Sequence, residues 1–206
     1  MGGLVSPAGG TGRWWRRRAL PEVLGSALDR DERIAVTATC EDGRLLAVSR
    51  FGLWVVSGPA ASAARADRIG WELIARARLA ARVLSVIPTR VVGRLAGEPD
   101  GADGAVDGLV DGLVDVLVDE AELTFGLSAR SGLTDQVHSR VRRSVAASRH
   151  LPYPGAGGWV VLRRVPGRNG LTRQVRLDPG ADVDVPGFAD AVLAVADGLA
   201  ETMPSR

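Results

Sequence analysis

Hydrophobic positions along the chain follow first one period and then another. From Arg33 to Cys40, Ile34, Val36, Ala38 and Cys40 alternate with Arg33, Ala35, Thr37 and Thr39. A period of two suits a strand with one buried face, because successive side chains leave opposite sides of a pleated backbone. Glu41-Asp42-Gly43 supplies a turn, glycine accepting positive φ, and Arg44 to Ser49 is the return strand. Phe51 to Val56, rich in aromatic and β-branched residues, is a third strand. Ser57 to Arg68 reads as a Pro/Ala/Ser loop. Alternation returns with Ile69, Trp71, Leu73, Ala75, Ala77 and Leu79, which predicts a strand over 69–77. Arg82 to Ile87 and Glu122 to Leu127 are further strands, and Pro21 to Leu28 is a short helical turn.

The second period appears at Leu133, Val137, Val141 and Val145, spaced i, i+4, with Arg140, Arg142, Arg143 and Arg149 mainly off that stripe. This predicts an amphipathic helix from Leu133 to Leu151. Thr134 is placed to cap it, Asp135 sits in its first turn, and Pro152 and Pro154 stop it. Trp159 to Val165 and Gly170 to Leu177 form a hairpin around Pro166-Gly167-Arg168-Asn169. Gly187 to Met203 is a last helix, with Phe188, Ala191, Val192, Val195 and Leu199 on one face. The order of strands, helix, hairpin and helix is an α+β pattern, not an alternating α/β one.

Gly97 to Asp119 fits neither period. Val106-Asp107-Gly108-Leu109, Val110-Asp111-Gly112-Leu113 and Val114-Asp115-Val116-Leu117 form a four-residue repeat, with carboxylates at 103, 107, 111, 115 and 119. A helix would stack those like charges on one face and hold glycines in its interior, each at a cost of about 1 kcal/mol. The expectation is an acidic low-complexity insertion over 97–119, a tract expanded by replication slippage between two strands. Calcium loops place carboxylates two residues apart rather than four, so a calcium site is a poor fit.

Composition sets limits on these elements. The chain has 206 residues, 46% hydrophobic and 24% charged, enough for one domain with a true core. All 26 basic residues are arginine and none is lysine, yet the net charge is only +2. Arginine, alanine, glycine and valine share GC-rich codons, so the bias points first to a high-GC genome. Acidic residues gather in 98–122 and basic ones in 13–18 and 130–149. A general nucleic-acid binder needs a larger basic excess on one face. Cys40 is the single cysteine, so no intramolecular disulfide forms, and its apolar run makes it a small buried hydrophobe. No apolar run reaches the about 18–20 residues that cross a bilayer, and the N-terminus lacks a signal-peptide core. The expected location is the cytoplasm.

Several segments, in order, resemble an uncharacterised actinobacterial family with a bacterial pleckstrin-homology-like fold. They are Asp31 to Val36, Leu46 to Leu53, Ile69 to Ala77, Arg140 to Val145, Arg163 to Gly167, Gly170 to Val175 and Asp182 to Pro186. The resemblance spans about residues 20–203 and excludes the acidic tract. It implies a curved antiparallel sheet or barrel over 20–151 capped by the helix near 133–150. A C-terminal hairpin and helix in 152–206 pack on the same domain, and 1–19 is a disordered basic arm. It implies no activity.

The candidate chemistry is sparse. His138 and His150 are twelve residues apart, on or just past one helix, and miss the i, i+4 spacing of a metal pair. Asp135, His138 and Ser139 crowd one helical turn and make a poor triad, since adjacent side chains diverge. Without lysine the usual phosphate loop is excluded, and Gly155-Ala156-Gly157-Gly158 precedes a strand, so it reads as a flexible turn. No catalytic residue, metal ligand or cofactor site is expected, and the chain reads as a non-enzymatic binding or scaffold module.

Two surfaces stand out. Trp14, Trp15, Arg16, Arg17 and Arg18 would suit a membrane interface with anionic head groups, which is the alternative function. An arm without a role is the plainer reading, and nucleic acid the weakest. Arg140, Arg142, Arg143 and Arg149, with Arg163 and Arg164, converge if the helix packs beside the hairpin. Such a patch would bind a protein partner or another anionic surface; a solvated helix face is the plainer reading. Trp54, Trp71 and Trp159 are expected in the core.

Overall fold

The alternation at 33–56 folds as the pattern requires. In the computed structural model, which describes residues 20–58, 64–96 and 109–203, β1 (Ile34–Thr39), β2 (Leu45–Ser49) and β3 (Gly52–Ser57) form an antiparallel meander. Val36 faces Val48 and Ala47 faces Trp54 across the strands. Gly43, at φ +84°, turns the chain between β1 and β2. A fourth strand, β4 (Arg65–Gly70), pairs with β3, and its stretch from Arg65 to Arg68 falls where a loop is expected. It is an edge strand with no clean apolar face, so period two is faint there. Gly52 and Gly70 are partners, and a Cβ on Gly52 would meet Ile69 O at 2.4 Å.

The strand predicted over 69–77 is broken. Trp71–Leu73 forms a 3-10 turn before β5 (Ile74–Ala80) begins. The buried Trp71 indole donates through Nε1 to Ser49 O (3.3 Å) and Arg50 O (3.1 Å), and the chain passes there from one sheet to the next. β6 (Val83–Ala96) is longer than the predicted 82–87. Its first half pairs with β5 and β8 (Leu123–Gly126), and its second half pairs with β7 (Leu109–Asp119). A bridge between Cys40 and Leu127 joins the end of β1 to the chain just past β8. The four-stranded sheet and β5, β6 and β8 thus curl as a half barrel around one core, which includes Leu46, Leu53, Trp71, Ile74, Leu84 and Phe125. Leu133 and Val137 of α2 (Leu133–Ser144) close that core. On the outer face, α1 (Glu22–Ala27) lays Leu24 over Ala47, Trp54 and Val56.

The helix is shorter than expected. It ends at Ser144, and Val145 to Tyr153 is β9, where the sequence predicted helix to Leu151. Val145 continues the i, i+4 stripe but pairs with Arg163 across strands instead. Pro152 is tolerated because β9 is an edge strand. Thr134 is buried rather than capping, and the N-cap residue is Gly132.

β10 (Ala156–Arg163) and β11 (Leu171–Leu177) are the expected hairpin, and α3 (Phe188–Glu201) the expected last helix. Of the Gly155–Gly158 run, Gly155 (φ +73°) lies in the turn before β10, while Ala156, Gly157 and Gly158 belong to the strand, the two glycines buried. The tract read as an insertion contributes β7, which lies between β6 and β11, parallel to β11. Val114 and Val116 of β7 join Val160, Leu162, Val175, Phe188 and Val192 in a second core beneath α3. The fold is therefore α+β and mostly strand, with two main cores and a smaller cluster beneath α1. Its sheets are antiparallel except at β7/β11.

Candidate functional site: an arginine-lined groove

Helix period and strand edge together build a basic recess. Asp135, His138, Ser139 and Arg142 fall at i, i+3, i+4 and i+7, a single stripe of α2 turned away from the core stripe of Leu133, Val137 and Val141. Opposite it run Ala77, Arg78 and Leu79 of β5. The two elements enclose an open groove of about 780 Å³, with Arg143 also on its wall. Leu84 and Val137 form an apolar floor, and Leu79 stands at the rim, 48% exposed. None of Arg78, Arg142 and Arg143 forms an ion pair with a described residue. The lining thus includes three arginines and one acidic residue, Asp135.

The predicted basic patch is divided by the fold. Arg142 and Arg143 lie in the groove. Arg163 does not: it is buried, its Nη1 donating to Ser144 Oγ (2.7 Å) and Trp71 O (3.4 Å) and its Nη2 to Ile74 O (3.2 Å). Burial lowers its pKa from the ordinary arginine value, the nearby Glu72 opposing that shift. Arg164 reaches back to the carbonyls of Arg143 (3.5 Å) and Val145 (3.4 Å) at the C-terminal end of α2, where a cation is favoured. Arg140 is half-buried with its Nε enclosed, and Arg149 is exposed on β9. Arg78 was missed by sequence reasoning. Its only signal was a polar place in the alternation just past the strand predicted over 69–77.

The other candidates also separate. His138 lines the groove, whereas His150 lies on β9, its Nε2 2.8 Å from Asp178 Oδ2 and its ring 5.2 Å from that of Trp159. The two histidines therefore do not share an element. Trp54 and Trp71 are buried as expected, but Trp159 is 42% exposed. Cys40 is buried, and desolvation followed by the charge of Asp42 raises its thiol pKa. Trp14, Trp15, Arg16, Arg17 and Arg18 lie outside the described residues.

A second recess, of about 360 Å³, is lined by Arg44, Asp67, Arg68 and Glu120 among others. Its arginines are already paired, Arg44 with Asp42 and Arg68 with Asp29 and Glu32, so its charge is internally balanced. Among the described residues, no three of His, Cys, Asp and Glu are grouped to hold a metal ion, and no helix is long and apolar enough to cross a membrane. Comparison of the chain with protein families, with curated proteins and with solved structures found no match.

Proposed function

We propose that this protein is a non-enzymatic binding module that holds an acidic protein segment in the groove between α2 and β5. We further propose that its curled N-terminal half is a pleckstrin-homology-like domain, consistent with a strand meander closed by one helix. The reading rests on one observation: three arginines without an ion-pair partner among the described residues line a groove with an apolar floor. Unpaired guanidinium groups are fork-shaped donors for carboxylates, and the apolar floor adds contact area that a free inorganic ion would not use.

The test is fluorescence anisotropy of a labelled alternating Glu/Val decapeptide with the whole chain, run beside sedimentation with anionic and neutral vesicles. The expected result is peptide binding that weakens with added salt and falls about tenfold or more in Arg142→Glu/Arg143→Glu, since charge reversal turns attraction into repulsion. Binding to anionic vesicles without peptide binding would move the function to a membrane surface. Peptide binding indifferent to the charge reversal would remove the groove from consideration.

A further inference from the structure

We infer that β5 is a docking edge, and that the acidic segment enters the groove as an added β-strand. This rests on the groove being the binding site and specifies how it recognises its partner. Ala77, Arg78 and Leu79 are consecutive, and consecutive strand residues leave opposite faces of a sheet. A groove lined by all three, with Leu79 and Ala77 on the face that α2 covers and Arg78 on the other, reaches the strand's free edge. β5 ends the seven-stranded sheet, and β6 is its only strand partner among the described residues. One row of its backbone N–H and C=O groups thus faces the groove, a ready template for strand addition.

Of the two ends of this sheet, β9 carries Pro152 within its run. β5 contains neither proline nor glycine over Ile74–Ala80. The stretch Arg76–Ala80 would pair with about five residues over about 17 Å. Charge and hydrophobicity then fix the partner's pattern. A strand laid on β5 presents alternate side chains to opposite sides. Acidic residues at one parity meet Arg78, and apolar residues at the other meet Leu79 and Leu84 on the face that α2 covers, beside Arg142 and Arg143. The class of partner is an extended, alternating acidic–apolar segment of another protein.

The experiment compares the Glu/Val decapeptide with the same sequence N-methylated at every residue, which keeps charge and side chains but removes every backbone donor. Hydrogen exchange of residues 76–80 is followed in parallel. The expected result is about a tenfold or greater loss of affinity on methylation, the size of a few lost hydrogen bonds, with slowed exchange at 76–80 in the unmethylated complex alone. Equal affinity of the two peptides, or binding with exchange at 76–80 unchanged, overturns strand addition and leaves the groove reading standing. No binding of either peptide overturns both.

Discussion

Arg163 Nη1 donates to Ser144 Oγ over 2.7 Å, so a central strand of the C-terminal sheet is tied to the last residue of the helix that closes the N-terminal core. The same guanidinium reaches the main-chain oxygens of Trp71 and Ile74, at the turn where the chain passes between sheets. One buried side chain therefore joins both cores. Arg163→Met fills a similar volume but removes the Nη2 donor of Ile74 O and leaves Trp71 O only the longer contact from Ser144 Oγ (3.5 Å), and a buried acceptor without a partner costs about 1–3 kcal/mol. We expect a loss of about 3 kcal/mol in urea unfolding, and about 1 kcal/mol for Ser144→Ala. Two curves overlapping wild type would mean that the cores are held together by packing alone.

Glycine substitution separates a backbone approach from open surface. A Cβ at Gly52 would stand 2.4 Å from Ile69 O, while one at Gly93 meets nothing within 4 Å. Gly52→Ala must push two paired strands apart and is expected to lower stability by about 2 kcal/mol or more. Gly93→Ala is expected to leave it unchanged or to raise it by a few tenths of a kcal/mol. Thermal melting of the pair decides the matter; equal shifts would mean that the β3/β4 contact at Gly52 yields freely.

Val116 is 2% exposed in the second core, at the place where the preceding repeat unit has Gly112. Val116→Gly makes the two units identical at this place and removes the side chain. The expected cost is about 2–4 kcal/mol, from the lost side chain together with added backbone freedom. Hydrogen exchange should quicken in β7 and β11 before it does in β1 to β3. Uniform quickening would argue that the two cores unfold as one unit.

The Cys40 thiol has a raised pKa, chiefly from burial. An acid whose pKa is higher folded than unfolded holds its proton more tightly in the native state. Its contribution to stability is therefore complete below the ordinary thiol value of 9.0 and declines as pH rises beyond it. Ellman's reagent at pH 8 should react slowly with the native protein and fully in denaturant. Cys40→Ala should flatten the loss of stability above pH 9, and rapid labelling of the native chain at pH 8 would contradict this burial.

How much of this was legible in the residues depends on how local each cause is. The meander over 33–56 and the hairpin at 156–177 declare themselves, because alternation and turn glycines are neighbours in sequence. β4 is silent because an edge strand needs no apolar face. The end of α2 is ambiguous because Val145 suits both the helical stripe and the start of β9. β7 was hidden by its carboxylates: a period of four is also a multiple of two, so spacing that disfavours a helix is compatible with a strand. In the groove, Arg142 and Arg143 could be read from the basic face of α2. Arg78 could not, since its place opposite that helix is a long-range consequence of the curled sheet. Arg163 was placed on the surface because its residue type argues for water, and only the carbonyls of Trp71 and Ile74 explain its burial.

The strand built from Val-Asp-Gly-Leu units has a hereditary consequence. The ladder between this strand and β11 breaks register between Leu109 and Val114, where Gly112 takes φ +33°, so the buried stretch begins at Val114. A change in the number of whole units upstream of that break is therefore expected to leave Val114 and Val116 directed at α3. Val116, by interrupting the monotony of its own repeat, marks the alignment that the sheet accepts.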